Sequence, residues 1–188
     1  MGRECPWLSP FGPPAVRHGE TLVAQTAAIP QWLAPRLGLI PEDEANRLRA
    51  HQIQLTIADL VAEVHDTHHP ISVELRYEEQ NREAARCADA FVRQRISRFL
   101  RYFDRALDSN PAGSGRWLVG AGCTLSLCQV IAGLRYAFPR AMRRHERRRP
   151  RLGALHDAVA ARPLIALYLR RLPPPRGRCC LAPPRSQR

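Results

Sequence analysis

From residue 26 onward the apolar positions of this chain recur three and four apart, the spacing that lays one helix face against a core. Over about 43–65 the stripe is Ile53, Ile57, Leu60, Val61 and Val64, with Glu42, Asp43 and Glu44 at the positive end of the helix dipole. A second long helix is predicted over roughly 72–107. Its stripe runs through Ala84, Cys87, Ala88 and Phe91 and on through Ile96, Phe99, Leu100, Phe103 and Leu107. Residues 125–137 carry a single charge, Arg135, so this third helix is expected at the centre of a bundle, ending at Pro139. Two shorter helices are predicted over 152–160 and from Pro163 to about 171. The run from Asn110 to Gly115 has the composition of a loop.

The front of the chain follows a different rule. Residues 15–17 and 21–24 are short extended candidates on either side of a turn at His18 and Gly19, which makes a hairpin. A helix is predicted next over 26–37, with Pro30 near its first turn, Gly38 closing it and Pro41 blocking its continuation. Before the hairpin, Pro6, Pro10, Gly12 and Pro13 argue for an irregular lead-in. Beyond Leu172 the Pro- and Arg-rich run cannot assemble a core and is expected to be disordered. The organisation predicted is 1–39, 40–172 and a tail over 173–188. The fold class is mainly α, in the α+β sense: a β-hairpin and helix followed by an all-helical part.

Charge alters this picture in one place. The net charge of +12 is unevenly spread: up to Phe138 there are 15 Arg against 15 acids, and from Pro139 onward 14 Arg face only Glu146 and Asp157. No Lys occurs, which points to a coding bias toward Arg. The run Arg140, Arg143, Arg144, Arg147, Arg148, Arg149 and Arg151 has no interleaved aromatics and no accompanying nucleic-acid motif. It reads as a solvated helix end and loop, with nucleic acid an unlikely partner. No stretch reaches the roughly 18 apolar residues of a membrane span, and the first ten residues do not resemble a signal peptide. A cytoplasmic protein is expected. The six cysteines form no C-x-x-C pair; Cys87 and Cys128 read as small core residues, Cys179 and Cys180 as part of the tail. His65, His68 and His69 beside Asp66 have a spacing that suits metal ligands, but no third ligand is identifiable. A helix C-terminus that favours partly charged imidazole explains them, and no metal is expected.

The one constellation that suggests chemistry is the corner Ala24-Gln25-Thr26-Ala27-Ala28-Ile29, where a strand ends and a helix starts. Gln25 offers an amide and Thr26 a hydroxyl, beside first-turn N–H groups that are unpaired and partly positive. Such a corner suits the carboxylate of a small acidic ligand. Thr26 is equally an ordinary helix N-cap.

Pro14, Gly19, the Gln25–Ile29 corner and Leu33, followed by Gln52-Ile53-Gln54-Leu55-Thr56-Ile57-Ala58-Asp59-Leu60, Leu118-Val119-Gly120 and Ala160-Ala161-Arg162-Pro163-Leu164-Ile165, occur in an order and spacing that resemble the glutathione transferase superfamily, bacterial type. The resemblance covers roughly residues 10–171. It implies a partial thioredoxin-like part, a hairpin plus helix, joined to an all-helical C-terminal domain. It also implies glutathione as co-substrate, held by Gln25 and Thr26 at its γ-glutamyl end and shaped by a cis proline at Pro14. The helical half would then bind a small electrophile, with Tyr77, Tyr102 and Tyr136 as possible lining, and the protein would be a homodimer.

Three departures qualify what the resemblance implies. The family begins with a strand, helix and strand that carry a Tyr, Ser or Cys stabilising the glutathione thiolate, and only nine residues precede Pro10 here. A truncated first domain is therefore expected, and the catalytic residue is unknown; Cys5 and Ser9 are the nearest candidates. Pro13 has no N–H, so only its carbonyl could pair with a ligand. Thr124 is followed three positions on by Leu127, where the family has an acidic capping-box partner. Two functions stand: conjugation of glutathione to electrophiles, or a non-catalytic helical remnant or interaction module that binds glutathione weakly.

Overall fold

A computed structural model describes residues 9–120 and 125–171. The chain opens with a two-stranded antiparallel hairpin, β1 (Ala15–His18) and β2 (Thr21–Ala24), in a register that pairs Ala15 with Ala24 and His18 with Thr21. The tight turn between them needs a positive φ, and Gly19 supplies it at +59°. Helix α1 (Ala28–Arg36) follows and packs on β2. Its side chains are tied by the Arg36 guanidinium, which lies 4.4 Å from the Trp32 ring centroid and donates to the Trp32 carbonyl at 2.7 Å.

The helical part starts at α2 (Glu44–Asp66), whose N-cap Asp43 accepts the Asn46 N–H at 2.9 Å. Ile53, Ile57 and Leu60 fill its inner face. Val61 is 49% exposed and does not belong to that stripe, because it lies a further 100° round the helix from Leu60. Helices α3 (Asn81–Ala90) and α4 (Ile96–Asp108) are joined by a π-helical turn over Phe91–Arg95. Ala84 and Ala88 are the buried positions of α3, and Cys87 is exposed, contrary to its expected place in the core. Helix α5 (Leu125–Ala137) is the hub: Leu127, Cys128, Ile131, Leu134 and Ala137 are buried, and it packs against α2, α6 (Pro139–Arg148) and α7 (Pro150–Ala160). Helix α8 (Pro163–Arg171) leans on α7.

Two further expectations fail for clear reasons. The helix predicted from residue 72 begins only at Asn81, because the buried Gln80 side chain organises the preceding loop. Its amide accepts the Ile71 N–H at 3.0 Å and donates to the carbonyls of Ser72 (2.9 Å) and Leu75 (3.0 Å). The basic run after Pro139 is no loop. Proline at the first position of a helix loses no hydrogen bond, and Ala141 and Met142 are buried, so a helix forms from Pro139 to Arg148. The tail after Leu172, Cys5 and the Thr124 cap lie outside the described residues.

Candidate functional site

The hairpin register decides what can meet. With Ala15 opposite Ala24, the residue before β1 and the residue after β2 share one end of the hairpin, so Pro14 faces the Gln25–Thr26 corner. The Pro13–Pro14 peptide is cis. Gln25 adopts φ +74°, left-handed for a residue with a side chain. Such a conformation costs on the order of 1–3 kcal/mol and persists where its surroundings demand it. The bend it makes turns the Gln25 carbonyl into the acceptor for the N–H groups of Ala28 (3.1 Å) and Ile29 (3.0 Å), so β2 runs straight into α1.

The first two N–H groups of α1 are thus taken by the Gln25 carbonyl, and Pro30 has none to offer. The N-cap position of the helix is Ala27, not Thr26, and no side chain caps it. Gln25 and Thr26 are exposed, and neither side chain makes a hydrogen bond among the described residues. An amide and a hydroxyl therefore face outward together beside the start of a helix, a chemistry that matches a carboxylate and an ammonium on one small ligand.

Next to the corner, Ala27 lines a cavity of about 190 Å³ between α1 and α2. Its walls are apolar, with Ile29 and Leu33 from α1, Ile53 from α2 and Val119 at the base. Arg47, His51 and Gln54, at i, i+4 and i+7 of α2, give it one polar side. None of Tyr77, Tyr102 and Tyr136 lines it: Tyr77 lies beside His68, and Tyr102 packs edge-on against Phe103. The histidine cluster is split by the end of α2. His65 and His69 stack with centroids 5.1 Å apart, while His68 turns inward toward Phe138. The cavity itself escaped the sequence reading, because its two walls come from different parts of the chain; the only signal was the apolar excess of 29–40.

A hairpin and short helix followed by a helical domain built round one apolar helix have the architecture of a protein of the glutathione transferase type. The family of glutathione S-transferase C-terminal domains matches residues 65–171, more than half of the chain and all of α3 to α8, and the chain belongs to the glutathione S-transferase superfamily. No curated protein matches it.

Proposed function

We propose that this protein binds glutathione at Gln25, Thr26 and Pro14 and conjugates its thiolate to a small electrophile seated between α1 and α2. The observation that carries the reading is the strained Gln25, which holds an unpaired amide and the neighbouring Thr26 hydroxyl outward at the start of α1. There the γ-glutamyl carboxylate gains the Thr26 hydroxyl and the partial positive charge at the start of α1, and the γ-glutamyl amine gains the side-chain oxygen of Gln25. Pro14 shapes the backbone next to the cysteinyl part, and the Pro13 carbonyl accepts its N–H. The cavity is near the 150 Å³ or so that admits one benzene ring, so the electrophile is a single-ring or smaller molecule. Thiolate attack needs a group that lowers the thiol pKa; its identity is unassigned.

A second reading, a non-catalytic glutathione-binding module, is favoured by one observation. Residues 14–36 contain no Tyr, Ser or Cys to activate the thiol. Conjugation of an aromatic halide, measured beside glutathione binding by calorimetry, separates the two. Under the first reading Gln25→Ala and Thr26→Ala each weaken glutathione binding by about 10- to 100-fold, the worth of a hydrogen bond to a charged group, and lower conjugation in parallel. Binding without turnover leaves the module; binding untouched by either substitution removes the site.

The same reading divides the chain at 39/40, with the tail from 173, and makes it a cytoplasmic homodimer of bacterial type. Among the described residues no single helix is long and apolar enough to cross a membrane, and α7 and α8, which pass together on length, meet at 83°. Leu48 (62% exposed) and Leu55 (48%) lie two turns apart on one side of α2 and suit a symmetric contact. Light scattering on dilution should show a dimer that Leu48→Glu with Leu55→Glu converts to monomer; a monomeric parent protein contradicts it.

A further inference from the structure

We propose that the outer face of α6 binds the phosphate backbone of a nucleic-acid duplex without reading its sequence. On sequence alone the run reads as a solvated helix end and loop with nucleic acid an unlikely partner; the fold changes that weighing, because four of its arginines, Arg143, Arg144, Arg147 and Arg148, are left without an acid among the described residues. Between residues 104 and 171 the chain has four acids, Asp104, Asp108, Glu146 and Asp157. Arg151 takes the first two. Glu146, the only acid on α6, turns inward to Arg135 at 2.6 Å, and Asp157 is held by His156 at 2.8 Å and Arg135 at 3.2 Å.

Arg143, Arg144, Arg147 and Arg148 are exposed, and none pairs with an acid among the described residues. They occupy i, i+1, i+4 and i+5, so two like-charged i,i+4 pairs stand side by side on one face. Helical propensity does not ask for that. Each pair is unfavourable in the free protein, and a row of phosphates relieves both. The positive field is felt locally: the His145 imidazole is held below its ordinary pKa by burial first and then by Arg149, Arg144 and Arg148.

The occupant follows from what the face lacks. Its apolar residues, Ala141 and Met142, are buried under the helix, so α6 offers nothing to insert into a bilayer. It carries no aromatic on which an unpaired base could stack. Guanidinium groups without base-reading companions suit duplex phosphates, whose contacts position without specifying.

Anisotropy of a labelled 20-base-pair DNA duplex, titrated with the full chain between about 50 and 200 mM salt, tests this. Releasing counterions from four phosphates contributes about 3 to 4 to the slope of log K against log salt. Arg143→Ala/Arg144→Ala/Arg147→Ala/Arg148→Ala should therefore lose that much slope, each single substitution about one, and a scrambled duplex should bind equally. Arg176, Arg178, Arg185 and Arg188 also add charge to the parent, so the difference between parent and variant is the readout. Arg101→Ala on α4 should change nothing, and circular dichroism should show the quadruple variant folded. A parent that fails to bind at 50 mM salt, a quadruple variant that keeps the parent slope, or vesicles one-third phosphatidylglycerol that displace the duplex at matched charge would each overturn the proposal.

Discussion

Gly120 and Asn110 hold the loop that brings Val119 to the base of the cavity, and they do so by two different physical means. Gly120 sits at φ +55° with the Pro41 ring pressed against it: a Cβ built there would lie 2.5 Å from Pro41 Cγ. Pro41 belongs to the linker between α1 and α2, so this close approach fixes the linker on the helical domain. Asn110 is buried, and its amide donates to the carbonyls of Trp117 and Gly120, both at 2.8 Å. Gly120→Ala pays left-handed strain of about 1–2 kcal/mol plus the clash, and Asn110→Ala strands two carbonyls at about 1–3 kcal/mol. Urea denaturation should place both variants at least about 1 kcal/mol below the parent, whereas Thr26→Ala, which breaks no internal bond, should stay within about 0.5 kcal/mol. In the sequence Asn110 looked like one more loop residue, because nothing local shows that its amide will be buried ten residues from its acceptor.

Between elements, side-chain ion pairs differ more in burial than in length. Arg135 on α5 reaches Glu146 on α6 and Asp157 on α7, with the Arg135 and Glu146 side chains only 31% and 26% exposed. Arg93 and Asp89 pair on one stretch of chain at 70% and 54% exposure. Removing one partner of the first set leaves a half-buried carboxylate between three helices, so Arg135→Ala should cost about 1–3 kcal/mol, while Arg93→Ala should cost about 0.5 or less. For a chain this size that is several degrees of melting temperature against less than about two, readable by calorimetry. The same contrast explains what was legible beforehand. Stripes such as Ile53, Ile57 and Leu60, or Leu127, Ile131 and Leu134, declare a helix because each repeat carries the same instruction. The loop over 67–80 answers to one residue, Gln80, whose hydrogen bonds reach eight and nine positions back, and no period records that. The Gln25–Thr26 corner was legible because its parts are adjacent in sequence; the cavity wall of α2 was not, because it lies some twenty residues away on another element.

For the whole molecule the dominant physical fact is a positive charge confined to the last quarter of the chain, beside a first part that is neutral overall. Self-repulsion of that kind lowers stability and is screened by salt. His145 converts it into a pH dependence. Burial, then Arg149, Arg144 and Arg148, push its folded pKa below the ordinary 6.5, so between that lowered value and about 6.5 the unfolded chain binds more protons than the folded one. Stability from this group is therefore complete above about pH 6.5 and lost as the pH falls toward the folded pKa. The carboxylates do not share this window: Asp43, Asp108 and Asp157 are all shifted down, by hydrogen bonds from Asn46, Arg151 and His156 in turn, and act only below about pH 4. Melting should accordingly be lower at pH 5 than at pH 7.5. His145→Gln should flatten that difference, and 0.5 M salt should shrink it in the parent by screening the arginines. A difference that survives both would move the effect away from α6.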